Sequence, residues 1–178
     1  MSRYAAFLRA INVGGHVVKM EALRREFTAL GLTNVETYIA SGNVVFDTRA
    51  RNGGTLERRI AGHLRRALGY EVATFLRTAA ELAEIARHQP FPEDGASLYI
   101  GFLPKPLDAA ARRLVLSFRP PGDELALHRR ELYWLCRTRF SDSEFSPAKM
   151  EKALGLPATF RGANTVRKMA ERYGTGAP

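Results

Sequence analysis

The chain has 178 residues, of which 46% are hydrophobic and 25% are charged, which is an ordinary globular composition. No stretch approaches the roughly eighteen consecutive apolar residues that a membrane helix needs, so a membrane-spanning protein is excluded. The single cysteine, Cys136, excludes an internal disulfide and fits a reducing compartment. Met1–Tyr4 leads into a strand pattern without the apolar region of a signal peptide. We therefore expect a cytoplasmic protein.

The net charge of +9 favours partners that carry negative charge. The excess is spread evenly, because residues 1–89 hold 13 Lys/Arg against 8 Asp/Glu and residues 90–178 hold 14 against 10. There is no basic tail or block, and an Arg- and Ala-rich composition also arises from a GC-rich genome. The charge therefore leaves two alternatives, a solvated basic surface and a surface that binds nucleic acid or another anion.

The first half of the chain predicts the order strand, helix, hairpin, helix and strand. The strands are predicted at 4–11, 35–40, 43–47 and 71–77. Ser41-Gly42 is the hairpin turn. Apolar residues recur at helical spacing from Met20 to Leu30, ahead of a C-capping Gly31, and from Leu56 to Leu68, after a capping Thr55. This order is the split βαβ pattern of a ferredoxin-like unit.

The second half repeats most of this order. Its predicted elements are a helix at 78–87, a strand at 97–103, a helix from Pro106 to about Phe118, hairpin strands at 124–128 and 131–137, a short helix capped by Ser146, and a helix at 164–173. Pro120–Asp123 is predicted to break the chain. The closing strand is predicted to be missing or replaced by helix. The fold class is therefore α+β, with two ferredoxin-like halves of the βαββα type, mainly antiparallel sheets and C-terminal helices; the halves are 1–77 and a degenerate one at 78–178.

Two polar turns are expected to meet at one edge of the first predicted sheet. In a ferredoxin-like unit, the end of the first strand, the hairpin turn and the start of the fourth strand share that edge, with Gly69-Tyr70 nearby. Glycine turns with exposed amides, next to a helix N-terminus, make a cradle for an anion. The candidate ligand-binding residues are Arg9, Asn12, Gly14, Gly15, Lys19, Ser41, Gly42 and Asn43, and His16 is a further source of charge. The alternative is that these glycines only meet turn geometry and that the asparagines cap backbone groups.

A second polar cluster, Arg161, Asn164 and Lys168, lies at the start of the last predicted helix. Its basic side chains are candidates to face the polar edge of the first half and to complete a positive cleft. For Asn164 the alternative is the N-cap of that helix. The sequence by itself does not orient these three side chains.

The signatures of several other site classes are missing. Gly14–Met20 lacks the ending of a Walker phosphate loop, and no G-x-G-x-x-G follows a strand. The 4 histidines and Cys136 have no ligand spacing, so we predict no metal site and identify no cofactor. Ser146–Lys149 matches the S-x-x-K of acylating serine enzymes, but no K-T-G accompanies it, and Ser before Pro is typical of a helix N-cap. No catalytic residue is identified.

Several of these segments resemble a known family. The similarity to the family catalogued as domain of unknown function 1697 is carried by Arg9–Gly15, Tyr38–Phe46, Ser146–Lys149, Leu154–Thr159 and Asn164–Val166. Members usually have Gly where this chain has Ala10. The resemblance implies a bacterial cytosolic α+β protein with ferredoxin-like halves. It implies no activity, substrate or cofactor.

The leading hypothesis is a protein that binds an anionic ligand, either a phosphate-bearing small molecule or nucleic acid, at the turn edge of the first half. One alternative is an enzyme that acts on a small anionic substrate in the same cleft. Another is an interaction or scaffolding protein whose turn edge contacts a partner chain. The sequence predicts no oligomeric state.

Overall fold

The computed structural model describes residues 1–118 and 121–174, so part of the predicted chain break, Pro120, lies outside the described residues. The described residues form two compact units, one of Met1–Glu84 with residues 169–174, the other of Ile85–Lys168. Each unit contains a four-stranded antiparallel sheet, and the two sheets have equivalent strand orders. The predicted α+β class with two similar halves is confirmed.

The first unit has the element order βαββαβ. Its elements are β1 (Ser2–Leu8), α1 (Met20–Ala29), β2 (Thr33–Thr37), β3 (Asn43–Thr48), α2 (Gly53–Leu68) and β4 (Thr74–Thr78). The strands lie in the order β2-β3-β1-β4. Both helices bury an apolar stripe in the core of this unit, α1 through Leu23 and Phe27 and α2 through Leu56, Ile60 and Leu64. Each of these side chains contributes roughly 1.5–3 kcal/mol by leaving water.

The next helix, α3 (Ala79–Arg87), follows β4 without a loop. The Thr78 hydroxyl accepts from the Glu81 amide at 3.1 Å, and the Glu81 carboxylate accepts from the Thr78 amide at 2.8 Å. This reciprocal pair is a capping box, which satisfies two backbone donors at the helix start. The local sequence therefore determines the change from strand to helix at this point.

The second unit repeats the order of the first. Its elements are β5 (Ser97–Phe102), α4 (Ala109–Ser117), β6 (Glu124–His128), β7 (Glu131–Cys136), α5 (Pro147–Leu154), β8 (Thr159–Gly162) and the start of α6 (Ala163–Tyr173). The strands lie in the order β6-β7-β5-β8. The prediction that this half lacks a closing strand is wrong, because β8 pairs with β5 from Phe102↔Thr159 to Tyr99↔Gly162. With four residues, one of them Gly, β8 is too short to show an alternating pattern.

Two predicted helix starts are also wrong. In α2 the cap is Asn52, whose side-chain oxygen accepts from the Thr55 amide at 3.0 Å, so Thr55 lies inside the first turn. In α4 the cap is Asp108, which accepts from the Ala111 amide at 2.8 Å, and the helix does not begin at Pro106. Asn and Asp are among the strongest caps, and both lie within three residues of the predicted helix starts. Ser146 caps α5 as predicted.

None of the helices among residues 1–118 and 121–174 is long and apolar enough to cross a membrane.

Candidate functional site

Three segments of the first unit meet at one end of its sheet. The Leu8 amide, at the end of β1, donates to the Gly42 carbonyl at 2.8 Å, and the Arg9 amide donates to the Ala73 carbonyl at 2.9 Å. The end of β1 therefore contacts both the turn between β2 and β3 and the segment that leads into β4. We refer below to residues 10–18, which follow β1, as the 10–18 loop, and to residues 38–42 as the 38–42 turn.

Asn12 ties these two segments together. Its side-chain nitrogen donates to the Ala40 carbonyl at 2.9 Å, and its side-chain oxygen accepts from the Val18 amide at 2.7 Å. One side chain thus closes the 10–18 loop on itself and joins it to the 38–42 turn. Asn12 fixes the position of the loop relative to the turn.

Asn43 has a similar part inside the turn. It is fully buried, and its side-chain nitrogen donates to the Tyr38 carbonyl at 3.0 Å and to the Ser41 hydroxyl at 2.9 Å. Gly42, also buried, has φ +76°, and a Cβ atom there would lie 2.9 Å from the Ile11 Cβ. Asn43 therefore stabilises the conformation of the turn, and Gly42 allows the turn to pack closely against the 10–18 loop.

The backbone of the 10–18 loop has an unusual run of conformations. Left-handed φ angles occur at Ala10 (62°), Asn12 (56°), Gly14 (60°) and Gly15 (86°), whereas Ile11 and Val13 are not left-handed. Left-handed residues are part of the anion-binding nests in which successive amide groups point to one side. Val13, Gly14 and Gly15 are exposed, and their amides donate to no acceptor among residues 1–118 and 121–174. The loop therefore presents a short series of backbone donors to solvent.

Basic groups border these donors. Lys19 is the N-cap residue of α1 and is exposed. Its side chain makes no capping bond, so it does not occupy the backbone donors at the helix start. The first turn of α1 carries one acidic residue, Glu21. Arg9 is exposed at the other end of the loop. The partial positive charge of a helix N-terminus adds to that of the lysine.

An aromatic pair lies beside the exposed donors. The rings of His16 and Tyr70 are stacked, with their centroids 3.8 Å apart and their planes inclined by 19°. The His16 amide donates to the Val13 carbonyl at 3.1 Å, which closes a tight turn around Gly14 and Gly15. Burial raises the pKa of Tyr70, and its buried hydroxyl has no hydrogen-bond partner among the described residues 1–118 and 121–174.

Replacing Tyr70 by Phe should leave the free energy of unfolding unchanged or raise it by up to about 1 kcal/mol, since a buried hydroxyl without a partner is a net cost. Unfolding by urea, followed by far-ultraviolet circular dichroism, measures the change. A clear loss of stability in Tyr70→Phe would show that the hydroxyl is bonded in solution and would contradict this account.

Sequence reasoning missed three exposed apolar side chains at this edge, Val13 (58% exposed), Val17 (86%) and Ile39 (54%). Ile39 also has a left-handed φ of 49°, which is rare for a β-branched residue. No sequence signal announces such a conformation, because Ile ordinarily favours a strand. The end of α6 borders the same turn, where the rings of Tyr38 and Tyr173 meet edge to face at 6.3 Å.

The second predicted cluster lies in the other unit. Arg161 is buried in β8, where it donates to the Thr159 hydroxyl and the Phe160 carbonyl, both at 2.8 Å, and burial lowers its pKa to about 10. Asn164 and Lys168 are exposed on α6. Because α6 begins at Ala163, Asn164 is not its N-cap; its side-chain oxygen accepts from Arg167 at 3.3 Å. The proposal that these residues complete a cleft with the first unit stays a prediction.

The second unit also contains a groove of about 460 Å³ that the sequence did not reveal. It lies between residues 89–99 and the start of α6, and Asn164 is one of its lining residues. Arg167 faces Glu93 across it at 3.7 Å. Oppositely charged side chains and apolar ones line it together, so the groove has no single charge character. Within residues 1–118 and 121–174, no three His, Cys, Asp or Glu side chains are grouped to hold a metal ion.

One of the comparisons with known proteins names a family, and its description gives no activity. The family model described as protein of unknown function (DUF1697) matches residues 1–133. Among solved structures, the chain is similar to the conserved bacterial protein SP0830 from Streptococcus pneumoniae, with 26% identity and a TM-score of 0.79 over 98% of this chain and 99% of that one. No curated protein matches the sequence.

Proposed function

Since the chain belongs to the DUF1697 family of proteins of unknown function, we propose from its geometry that it binds an anion at the 10–18 loop. The observation that carries this proposal is the series of exposed amides at Val13, Gly14 and Gly15, which have no acceptor among residues 1–118 and 121–174. Backbone donors held in a fixed loop bind phosphate oxygens without paying for a rearrangement. The ligand class is a phosphate-bearing small molecule or nucleic acid.

The surroundings of the loop support a negatively charged ligand. Lys19 supplies an exposed positive charge, and the N-terminus of α1 that follows it favours anions through its dipole. Asn12 keeps the loop in place through its bonds to Ala40 and Val18, so the donors are positioned before any ligand arrives. We place this activity in the cytoplasm, where a chain with one cysteine stays reduced.

Lys19→Gln should weaken binding about fivefold, because an exposed charge pair contributes up to roughly 1 kcal/mol. The probes are inorganic phosphate, followed by phosphorus NMR line width, and a fluorescein-labelled oligothymidine, followed by anisotropy. With the oligonucleotide, the slope of log affinity against log salt should also fall by about 0.7, the share of one phosphate contact on a single strand. Lys105→Gln is the matched control, since Lys105 is an exposed lysine of the other unit.

Gly15→Val tests the backbone donors directly. A valine disfavours the left-handed φ of +86° at this position, although nothing lies within 4 Å of the added Cβ, so the loop should rearrange while the core stays intact. Gly95→Val is its counterpart in the groove of the second unit, with φ +82° and equally open space. Binding that survives Gly15→Val but is lost in Gly95→Val would move the anion to the groove and refute the proposal.

A further inference from the structure

We propose that the anion bound at the 10–18 loop carries an aromatic base, so that the ligand unit is a nucleoside phosphate, free or within a single strand. The inference rests on the proposed function above and deepens it by naming the group attached to the phosphate. It is carried by the stacked rings of His16 and Tyr70, together with the exposed apolar side chains of the 10–18 loop and the 38–42 turn.

His16 offers a ring face to a base. Its imidazole lies nearly parallel to Tyr70 at a centroid distance of 3.8 Å, while the residue as a whole is exposed. Tyr70 is half-buried with a buried hydroxyl, so it forms a fixed support under the imidazole. A planar base placed on the outer face of His16 extends the stack, and each such base contributes roughly 1–3 kcal/mol in single-strand complexes.

The ring lies directly beside the phosphate donors. His16 follows Gly15 in the chain, and the bond from its amide to the Val13 carbonyl, 3.1 Å long, keeps the turn between them tight. The amides of Val13–Gly15 and the imidazole are therefore separated by no more than three residues, a span of about 11 Å at full extension and less in a tight turn. A phosphate and a base joined through one ribose fit such an arrangement.

The apolar side chains give the base and sugar a contact surface. Val13, Val17 and Ile39 are 58%, 86% and 54% exposed, and the bonds from Asn12 to Ala40 and Val18 hold their segments together. A β-branched residue with left-handed φ, as at Ile39, costs of order 1–3 kcal/mol. Because more than half of Ile39 is exposed, its burial in the protein offsets only part of that cost. Strain kept at an exposed apolar residue points to contact with a ligand.

A nucleoside phosphate explains these features better than an alkyl phosphate does. Three aliphatic side chains alone would suit a flexible chain equally well. The stacked pair adds a flat, nearly parallel surface, which favours a planar ring. The base, rather than any apolar group, should therefore determine affinity.

The test compares inorganic phosphate, ribose 5-phosphate, adenosine 5′-monophosphate and octyl phosphate by titration calorimetry on the full chain. We expect the nucleotide to bind at least tenfold more tightly than ribose 5-phosphate, within the range that one stacked base provides. Octyl phosphate should bind no more tightly than ribose 5-phosphate. A hexanucleotide identifies the source: affinity that rises with strand length indicates nucleic acid, and equal affinity indicates a free nucleotide.

Two variants locate the base. His16→Ala should abolish the advantage of the nucleotide, measured as the ratio of the affinities for adenosine 5′-monophosphate and ribose 5-phosphate. Tyr70→Phe, which keeps the supporting ring, should retain that advantage. Ile39→Gly should weaken nucleotide binding and yet raise the free energy of unfolding, because glycine relieves the left-handed strain. Loss of structure would lower both quantities.

The outcomes separate this inference from the proposed function. Equal affinity for the nucleotide and ribose 5-phosphate would overturn the inference that the ligand carries a base, while leaving anion binding intact. Tighter binding of octyl phosphate than of ribose 5-phosphate would have the same consequence. Failure of all four compounds to bind would overturn both. A nucleotide advantage that persists in His16→Ala would place the base elsewhere and refute the stack.

Discussion

Gly42→Ala should destabilise the protein by roughly 3 kcal/mol, through left-handed strain of about 1–2 kcal/mol and overpacking of similar size. Gly42 has φ +76°, and an added Cβ would lie 2.9 Å from the Ile11 Cβ and 3.1 Å from the Leu8 carbonyl oxygen. Neither neighbour can withdraw cheaply, because one is a buried side chain attached to the 10–18 loop and the other is backbone of β1. The midpoint of urea unfolding measures the loss.

The matched control is Gly31→Ala. Gly31 has nearly the same φ, +74°, but nothing lies within 4 Å of an added Cβ. It should therefore show the conformational cost alone, about 1–2 kcal/mol. The difference between the two variants isolates the close approach of the 38–42 turn to the 10–18 loop. Equal losses in both would mean that the two segments are not packed as described, and the anion site would lose its geometric basis.

Asp123→Ala should cost roughly 3 kcal/mol, because buried donors left without an acceptor cost about 1–3 kcal/mol each. The carboxylate of Asp123 accepts from the Trp134 indole at 2.9 Å, from the Ser143 hydroxyl at 2.7 Å and from the Arg137 amide at 2.9 Å. Its removal leaves the indole and the backbone amide without their partner beside the core of the second unit. Urea unfolding followed by Trp134 fluorescence reports on both stability and the local environment.

The same carboxylate should make stability depend on acid pH. Burial by itself raises the pKa of Asp123, but the hydrogen bonds from Ser143, Trp134 and the Arg137 amide outweigh it, so the pKa lies below its ordinary value of 3.8. The stabilisation from the ionised group is thus fully present above the unfolded-state pKa. It is lost as the pH falls from about 4 through the lower pKa of the folded state.

Asp123→Asn should therefore flatten the dependence of the unfolding free energy on pH below about 4, where the native carboxylate takes up its proton. Asp142→Asn is the control, because Asp142 is an exposed aspartate of the neighbouring loop. Profiles of the wild type and Asp123→Asn that run parallel over this interval would show that Asp123 has no depressed pKa in the folded state.

Part of the candidate site followed from sequence because topology fixes which strand ends are neighbours. The order strand, helix, hairpin, helix, strand was enough to place the end of β1 beside the 38–42 turn, and the bond between Leu8 and Gly42 shows that contact. The individual tasks of the polar residues did not follow. Asn43 was a candidate ligand because amides bind anions, yet it is fully buried and its amide hydrogens serve the turn. Burial depends on what packs over a residue, which a turn motif does not encode.

The exposed apolar side chains and the stacked aromatic pair could not be predicted from the sequence, for a related reason. In the sequence, apolar residues such as Val13, Val17 and Ile39 are expected in the core. Only their exposure in the fold marks them as a contact surface. His16 and Tyr70 are 54 positions apart, and the distance between their rings is set by the segment that leads into β4. No local pattern brings such a pair together.

The sequence by itself determined the α+β class, the two similar halves, the β6–β7 hairpin and the cap at Ser146, because periodicity and capping depend on residues within a few positions of one another. Gly31 was predicted as the C-cap of α1, but the C-cap is Leu30 and the left-handed Gly31 follows it. The tertiary structure decided the closing strand β8, the burial of Asn43 and Arg161, and the exposed amides of the 10–18 loop. Each of these depends on partners far away in the chain. The strand β8 forms by pairing with β5, and Arg161 is buried because other parts of the fold cover it.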